Sequence, residues 1–151
     1  MRFSASQLKT ASTCSLRWKF QYVDRIPDNL KGSSTHMGSA AHIGFEELGN
    51  GASVDEAVTA YLDYYDDPDN EPDYLNTRTT FDGLRVKGQE MVEGFGRFLK
   101  ASPHLVTIGT EIHFRVPFGD HELSGLIDWL VLDTETNTLK VIDHKTGKRP
   151  S

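Results

Sequence analysis

Cysteine is almost absent from this chain: among 151 residues there is one, Cys14. A lone cysteine forms no internal disulfide, and by itself it holds neither a structural zinc nor an iron–sulfur cluster. It fits a reducing, cytoplasmic setting. Long apolar runs are also missing. No stretch approaches the roughly 18–20 residues of a membrane span, and Met1-Arg2-Phe3-Ser4 lacks the apolar block of a secretory leader. A secreted or membrane-spanning protein is therefore not expected. Net positive charge is lacking too. Sixteen Lys/Arg against 22 Asp/Glu give −6, with a pI near 5.4, which argues against a simple basic nucleic-acid coat protein. With 37% hydrophobic and 25% charged residues, the length supports one modest core and a single domain over 1–151.

Net charge hides distribution. Lysine and arginine are wholly absent from Gly32 to Thr77, where ten acids fall. Met1–Lys31 holds six bases against Asp24 and Asp28, and Lys140–Arg149 holds four against Asp143. The acidity is one block, and the basic segments on either side of it either solvate the surface or line a groove for a polyanion.

Helical signals fill the first half. Leu8, Cys14, Leu16, Trp18, Phe20 and Tyr22 supply apolar anchors up to Pro27, and Ser39–Leu48 reads as a short helix closed by Gly49 and Gly51. Ser53-Val54-Asp55-Glu56 is a capping box that opens a helix with Ala57, Val58, Tyr61, Leu62 and Tyr65 at helical spacing. Asp66–Asp73 is a proline-broken loop, and a further helix carries Leu84, Met91, Val92, Phe95, Phe98 and Leu99 on one face. After Pro103 the period changes to two. Thr107–Phe118 alternates, Phe118–His121 marks a hairpin turn, Leu123–Leu132 is richly apolar, and Leu139–Ile142 is a third strand after a turn at Thr134–Asn137. The expected layout is α/β of the α+β kind: helices first, then an antiparallel three-strand meander.

Polar chemistry interrupts those strands. Asp128 follows Gly125-Leu126-Ile127, and Asp143 follows Val141-Ile142, with Lys145 two positions on and so on the same side of an extended chain. A hairpin between the strands can bring both carboxylates together, where they repel unless a divalent cation such as Mg²⁺ or Mn²⁺ lies between them. A lysine beside them can hold a water or stabilise a pentacovalent phosphate. His42 and Glu46, four residues apart, share one helix face behind the small residues Gly38-Ser39-Ala40-Ala41. Taken singly, these residues read equally well as a surface His–Glu pair, a turn aspartate and an exposed ion pair.

Taken in order, they resemble a known pattern. The chain resembles the RecB-like branch of the PD-(D/E)XK nuclease superfamily, which includes AddB-type and CRISPR-associated exonucleases. The resemblance runs from Ser4-x-Ser6-x-Leu8 and Cys14-Ser15-Leu16-Arg17-Trp18-Lys19-Phe20-x-Tyr22-Val23 through Gly38-Ser39-Ala40-Ala41-His42. It continues through Glu111 and Gly125-Leu126-Ile127-Asp128 to Val141-Ile142-Asp143-His144-Lys145-Thr146-Gly147. It implies a restriction-endonuclease-like core. By the same resemblance His42, Asp128 and Asp143 are metal ligands, joined by the backbone carbonyl of His144, and Lys145 is the catalytic lysine. Glu46 and Glu111 would lie behind the ligands. Arg17, Lys19, Lys148 and Arg149 would contact DNA, and Trp18 would either fill a core or stack on a base.

The implied activity is Mg²⁺- or Mn²⁺-dependent hydrolysis of DNA phosphodiesters by an exonuclease of recombination, repair or phage DNA processing, in a bacterial cytoplasm or a phage-infected host. The cysteine cluster of iron–sulfur members has no counterpart after Cys14, so no iron–sulfur cluster is expected. The resemblance also implies a final helix and strand after Lys145 that the sequence does not reach. A sheet face bearing Leu126, Leu130 and Ile142 would then be exposed, to be covered by a complementing C-terminal chain or a homo-oligomer; a helicase is a further partner of this branch. Two other readings remain: an incomplete nuclease-fold chain that binds DNA or protein without cutting, and an acidic Gly32–Thr77 surface that mimics DNA.

Overall fold

The computed structural model describes residues 2–27, 30–75 and 77–147. Its elements run β1 (Arg2–Ser4), α1 (Ala5–Thr13), α2 (Ser15–Trp18), α3 (Ser33–Gly49), α4 (Val54–Tyr65), α5 (Phe81–Ala101), β2 (Leu105–Phe118), β3 (His121–Asp133) and β4 (Thr138–Ile142). A π turn at Lys19–Val23 and a 3₁₀ turn at Pro68–Asn70 interrupt the connections. None of the described helices is long and apolar enough to cross a membrane. The strands form a mixed four-stranded sheet in which β3 pairs with β1, β2 and β4. The expected meander is present, with an addition: Arg2–Ser4 runs parallel to Glu122–Ser124. Three residues are too few to show an alternation, so this strand had no readable period.

The chain divides into two compact units: Met1–Asn29 with His113–Ile127, and Leu30–Ile112 with Asp128–Ser151. In the first, Ser4 caps α1 through a reciprocal capping box with Gln7. Cys14 caps α2, its Sγ accepting the Arg17 N–H at 3.5 Å. None of this unit's described residues is fully buried. The β2–β3 turn is Gly119-Asp120, with Gly119 at φ +57°, as a two-residue hairpin requires.

The second unit holds the core. Ala40, Ala41, Phe45, Leu48, Ala57, Tyr61 and Val92 pack together from α3, α4 and α5. Each large side chain buried here is worth about 1.5–3 kcal/mol. Helix α3 starts at Ser33 rather than Ser39, and the buried residues of the added turns are Ser33, His36 and Met37, of which Met37 alone is hydrophobic. Two glycines set the helix spacing: a Cβ at Gly44 would lie 2.6 Å from Val92, and one at Gly88 would lie 2.2 Å from the Tyr61 hydroxyl.

Trp129 and Val131 of β3 are fully buried, and Trp129 Nε1 donates to Thr107 Oγ1 at 3.0 Å. Alternation therefore turns Thr107 inward and leaves Val106 and Ile108 exposed. In β4 the register Trp129↔Ile142, Leu130↔Val141 and Leu132↔Leu139 leaves Leu139 and Val141 two-thirds exposed. Of the three residues expected on an open face, Leu126 is exposed, while Leu130 and Ile142 are half-buried, Ile142 lying opposite Trp129.

Candidate metal centre

Helix α3 and strands β2 and β3 of the second unit converge on three side chains. Ligand atoms of His42, Glu111 and Asp128 all lie within 4.8 Å of one another. His42 Nδ1 stands 3.9 Å from Glu111 Oε1 and 3.9 Å from Asp128 Oδ2. Glu111 reaches inward because its backbone turns into the left-handed region at φ +47°, which breaks the strand's alternation. Burial, then the Asp128 carboxylate nearby, pushes the Glu111 carboxyl above its ordinary range.

The segment after β4 ties these groups together. His144 donates its backbone N–H to Asp128 Oδ2 at 2.7 Å. Its carbonyl faces His42 Nε2 at 3.1 Å. A carbonyl only accepts, so Nε2–H is the donor, and Nδ1 faces the two carboxylates. The His144 imidazole packs among Phe45, Phe95 and Trp129, with ring centroids 4.7, 4.8 and 6.1 Å apart, and meets the His42 ring edge-on at 6.0 Å. Burial lowers its pKa. This aromatic seat had no signal at the level of sequence, since the four residues come from four separate elements.

Asp143 and Lys145 do lie on one side, with Lys145 Nζ 2.6 Å from Asp143 Oδ2, and both side chains are more than half exposed. The Asp143 carboxylate is turned toward that ammonium. Glu46 joins His42 and Glu111 in lining a cavity of about 610 Å³, whose walls include Ser34, Thr35, Gly38 and Thr146. Small residues before His42 do admit a close approach: a Cβ at Gly38 would lie 3.0 Å from Thr146 Oγ1.

Of the proposed DNA contacts, Arg17 is exposed and Lys19 pairs with Asp24 at 2.5 Å; Lys148 and Arg149 lie outside the described residues. A second trio, His104, Asp133 and Glu135, is close enough for a metal, but Asp133 is already engaged. It accepts from Lys140 Nζ and from the Glu135 and Thr136 N–H groups, closing the β3–β4 turn, and the Lys140 ammonium holds its carboxyl far below the usual range.

The first group fits a hard divalent cation. It offers an imidazole and two carboxylates, one of them disfavoured as an anion by the other, and a cation relieves that repulsion. Comparison with curated proteins gives no match. Residues 2–151 match the PD-(D/E)XK nuclease superfamily, a superfamily of metal-dependent nucleases, and the chain belongs to it.

Proposed function

We propose that the protein is a Mg²⁺- or Mn²⁺-dependent DNA nuclease of the RecB-like branch, acting on DNA ends in recombination, repair or phage DNA processing. The observation that carries this reading is the convergence of His42, Glu111 and Asp128, tied through His144 to the segment bearing Asp143 and Lys145. In it His42, Asp128 and Asp143 hold the ion together with the His144 carbonyl, and Glu111 and Glu46 support them from the cavity wall. When bound, such an ion supplies positive charge against the phosphate and acidifies a water. The chain's residues do the rest. Lys145 can leave Asp143 to hydrogen-bond a phosphoryl oxygen as negative charge develops there. The attacking water forms the new P–O bond and gives up a proton, and the leaving 3′ or 5′ oxygen takes one.

The test is cleavage of linear and of covalently closed DNA with Mn²⁺ or Mg²⁺. Linear DNA should be degraded and closed circles spared, and Asp128→Asn and Lys145→Ala should each lose at least about 10³-fold in rate. Equal rates in both variants and the parent would sink the site assignment. Binding without cleavage under either ion would favour the non-cutting module.

A further inference from the structure

We propose that the first unit carries a binding site for single-stranded DNA, built from the Trp18 and Tyr22 rings and the Arg2 and Arg25 guanidiniums; this rests on the nuclease reading and names the form of substrate. A cavity of about 560 Å³ opens among Arg2, Gln7, Trp18, Tyr22, Arg25 and Ser124, all within that unit. This is the size of ordinary ligand pockets. A second cavity of about 470 Å³ shares Arg2 and Ser124 with it and adds His113 and Arg115. The unit carries six Lys/Arg against four Asp/Glu, in a chain whose remainder is strongly acidic.

The wall offers the two kinds of group that an unpaired strand uses, aromatic faces for bases and cations for phosphates. Arg2 Nε is paired with Glu122 Oε1 at 3.0 Å, which leaves Arg25 as the unpaired cation of this wall among the described residues. Trp18 immediately precedes and Tyr22 lies within the π turn, a helical irregularity frequent at functional sites. Both are half-buried, and neither stacks on another ring among the described residues. Arg25 has no ion-pair partner among them, and it holds φ +51°, a conformation that a non-glycine residue adopts only when its surroundings impose it. Gln7 uses Oε1 to accept the Ser4 N–H at 2.9 Å, leaving its amino group as a free donor at the wall. Helix α1 begins at the same place with no acid in its first turn. Bases held in a duplex present no face to such rings, so the site selects unpaired nucleotides.

Anisotropy of a labelled dT12 oligonucleotide, in EDTA to prevent cleavage, tests the site, and tryptophan emission gives a second readout. Of the two tryptophans, Trp129 is buried, so quenching by dT12 reports Trp18. Trp18→Ala should weaken dT12 binding about 5- to 100-fold. Arg25→Gln, at an exposed side chain, should reduce the slope of log affinity against log salt by about 0.7. Parental dT12 affinity in both variants would overturn the site, as would a blunt duplex that binds as tightly as dT12 without quenching. If the parent cleaves DNA while both variants bind dT12 like the parent, this site fails and the nuclease reading stands. If the parent cuts nothing with Mn²⁺ while both variants lose dT12 binding, the nuclease reading fails and the site is supported.

Discussion

His144 and Asp128, sixteen residues apart, are joined by a 2.7 Å hydrogen bond from the His144 backbone N–H to Asp128 Oδ2. The bond fixes one carboxylate rotamer with a group that no side-chain substitution removes. What positions that backbone is the imidazole it carries, seated against Phe45, Phe95 and Trp129. The site's geometry is thus anchored in the aromatic cluster by a residue whose ring also meets the His42 ring edge-on at 6.0 Å.

His144→Ala should therefore affect both stability and the site. Emptying a half-buried aromatic seat costs about 1–3 kcal/mol in urea denaturation. The loosened segment should weaken Mn²⁺ binding or activity by about 10- to 100-fold, the usual effect of losing support behind a metal ligand. His144→Phe keeps the packing and should recover most of both. If His144→Ala titrates with Mn²⁺ like the parent, the ring does not position the site.

Much of this was readable from residue order. The capping box at Ser53, the hairpin at Gly119-Asp120 and the shared side of Asp143 and Lys145 each follow from local rules, so each was visible in a few residues. Glu111 was legible only through the family resemblance and not from the strand's period, because its inward turn depends on a left-handed φ that breaks that period. For the same reason Ile108, apolar and in register for a core face, lies exposed while Thr107 bonds Trp129. The start of α3 was hidden because its buried side chains there are Ser33 and His36 with Met37, too few apolar groups to show a hydrophobic period.

Gly88→Ala should be one of the costliest small changes in the helical core. Its new methyl would stand 2.2 Å from the Tyr61 hydroxyl, which is buried and donates to the Arg85 carbonyl at 2.9 Å. Either the helices separate or that bond breaks, at about 1–3 kcal/mol. A fall in melting temperature with the DNA-cleaving rate at 25 °C preserved would match a purely structural role; an unchanged melting temperature would contradict the packing.

Acid should weaken the fold through His36. The ring is buried between Tyr64 and Tyr65, its Nε2 donates to the Tyr65 carbonyl at 3.0 Å, and Nδ1 has no partner among the described residues. Burial lowers its pKa from 6.5, with Lys31 adding to the effect while the Tyr65 bond, Asp66 and Glu71 oppose it. A lowered folded pKa means the unfolded chain takes up the proton first. The stabilisation is therefore present above pH 6.5 and is lost as pH falls through the folded value. The urea midpoint should drop from pH 7.5 to 5.5, and His36→Phe should flatten that drop while keeping the stacking. An equally steep drop in the variant would assign the acid sensitivity elsewhere.

Glu111→Gln separates stability from function in opposite directions. Without an ion, the Glu111 carboxylate is held in partial burial beside Asp128, and both raise its pKa. The charged form therefore costs free energy in the folded state at neutral pH. Replacing it with an uncharged amide of the same shape should raise the melting temperature in EDTA, with a gain within about 1 kcal/mol. The same repulsion is what a divalent cation relieves, so the variant should bind Mn²⁺ about 10- to 100-fold more weakly and gain less stability when the ion is added. A structural carboxylate would give the reverse: a loss of stability in EDTA and an unchanged Mn²⁺ midpoint. Melting curves of parent and variant with and without Mn²⁺ decide between these outcomes without any measurement of cleavage.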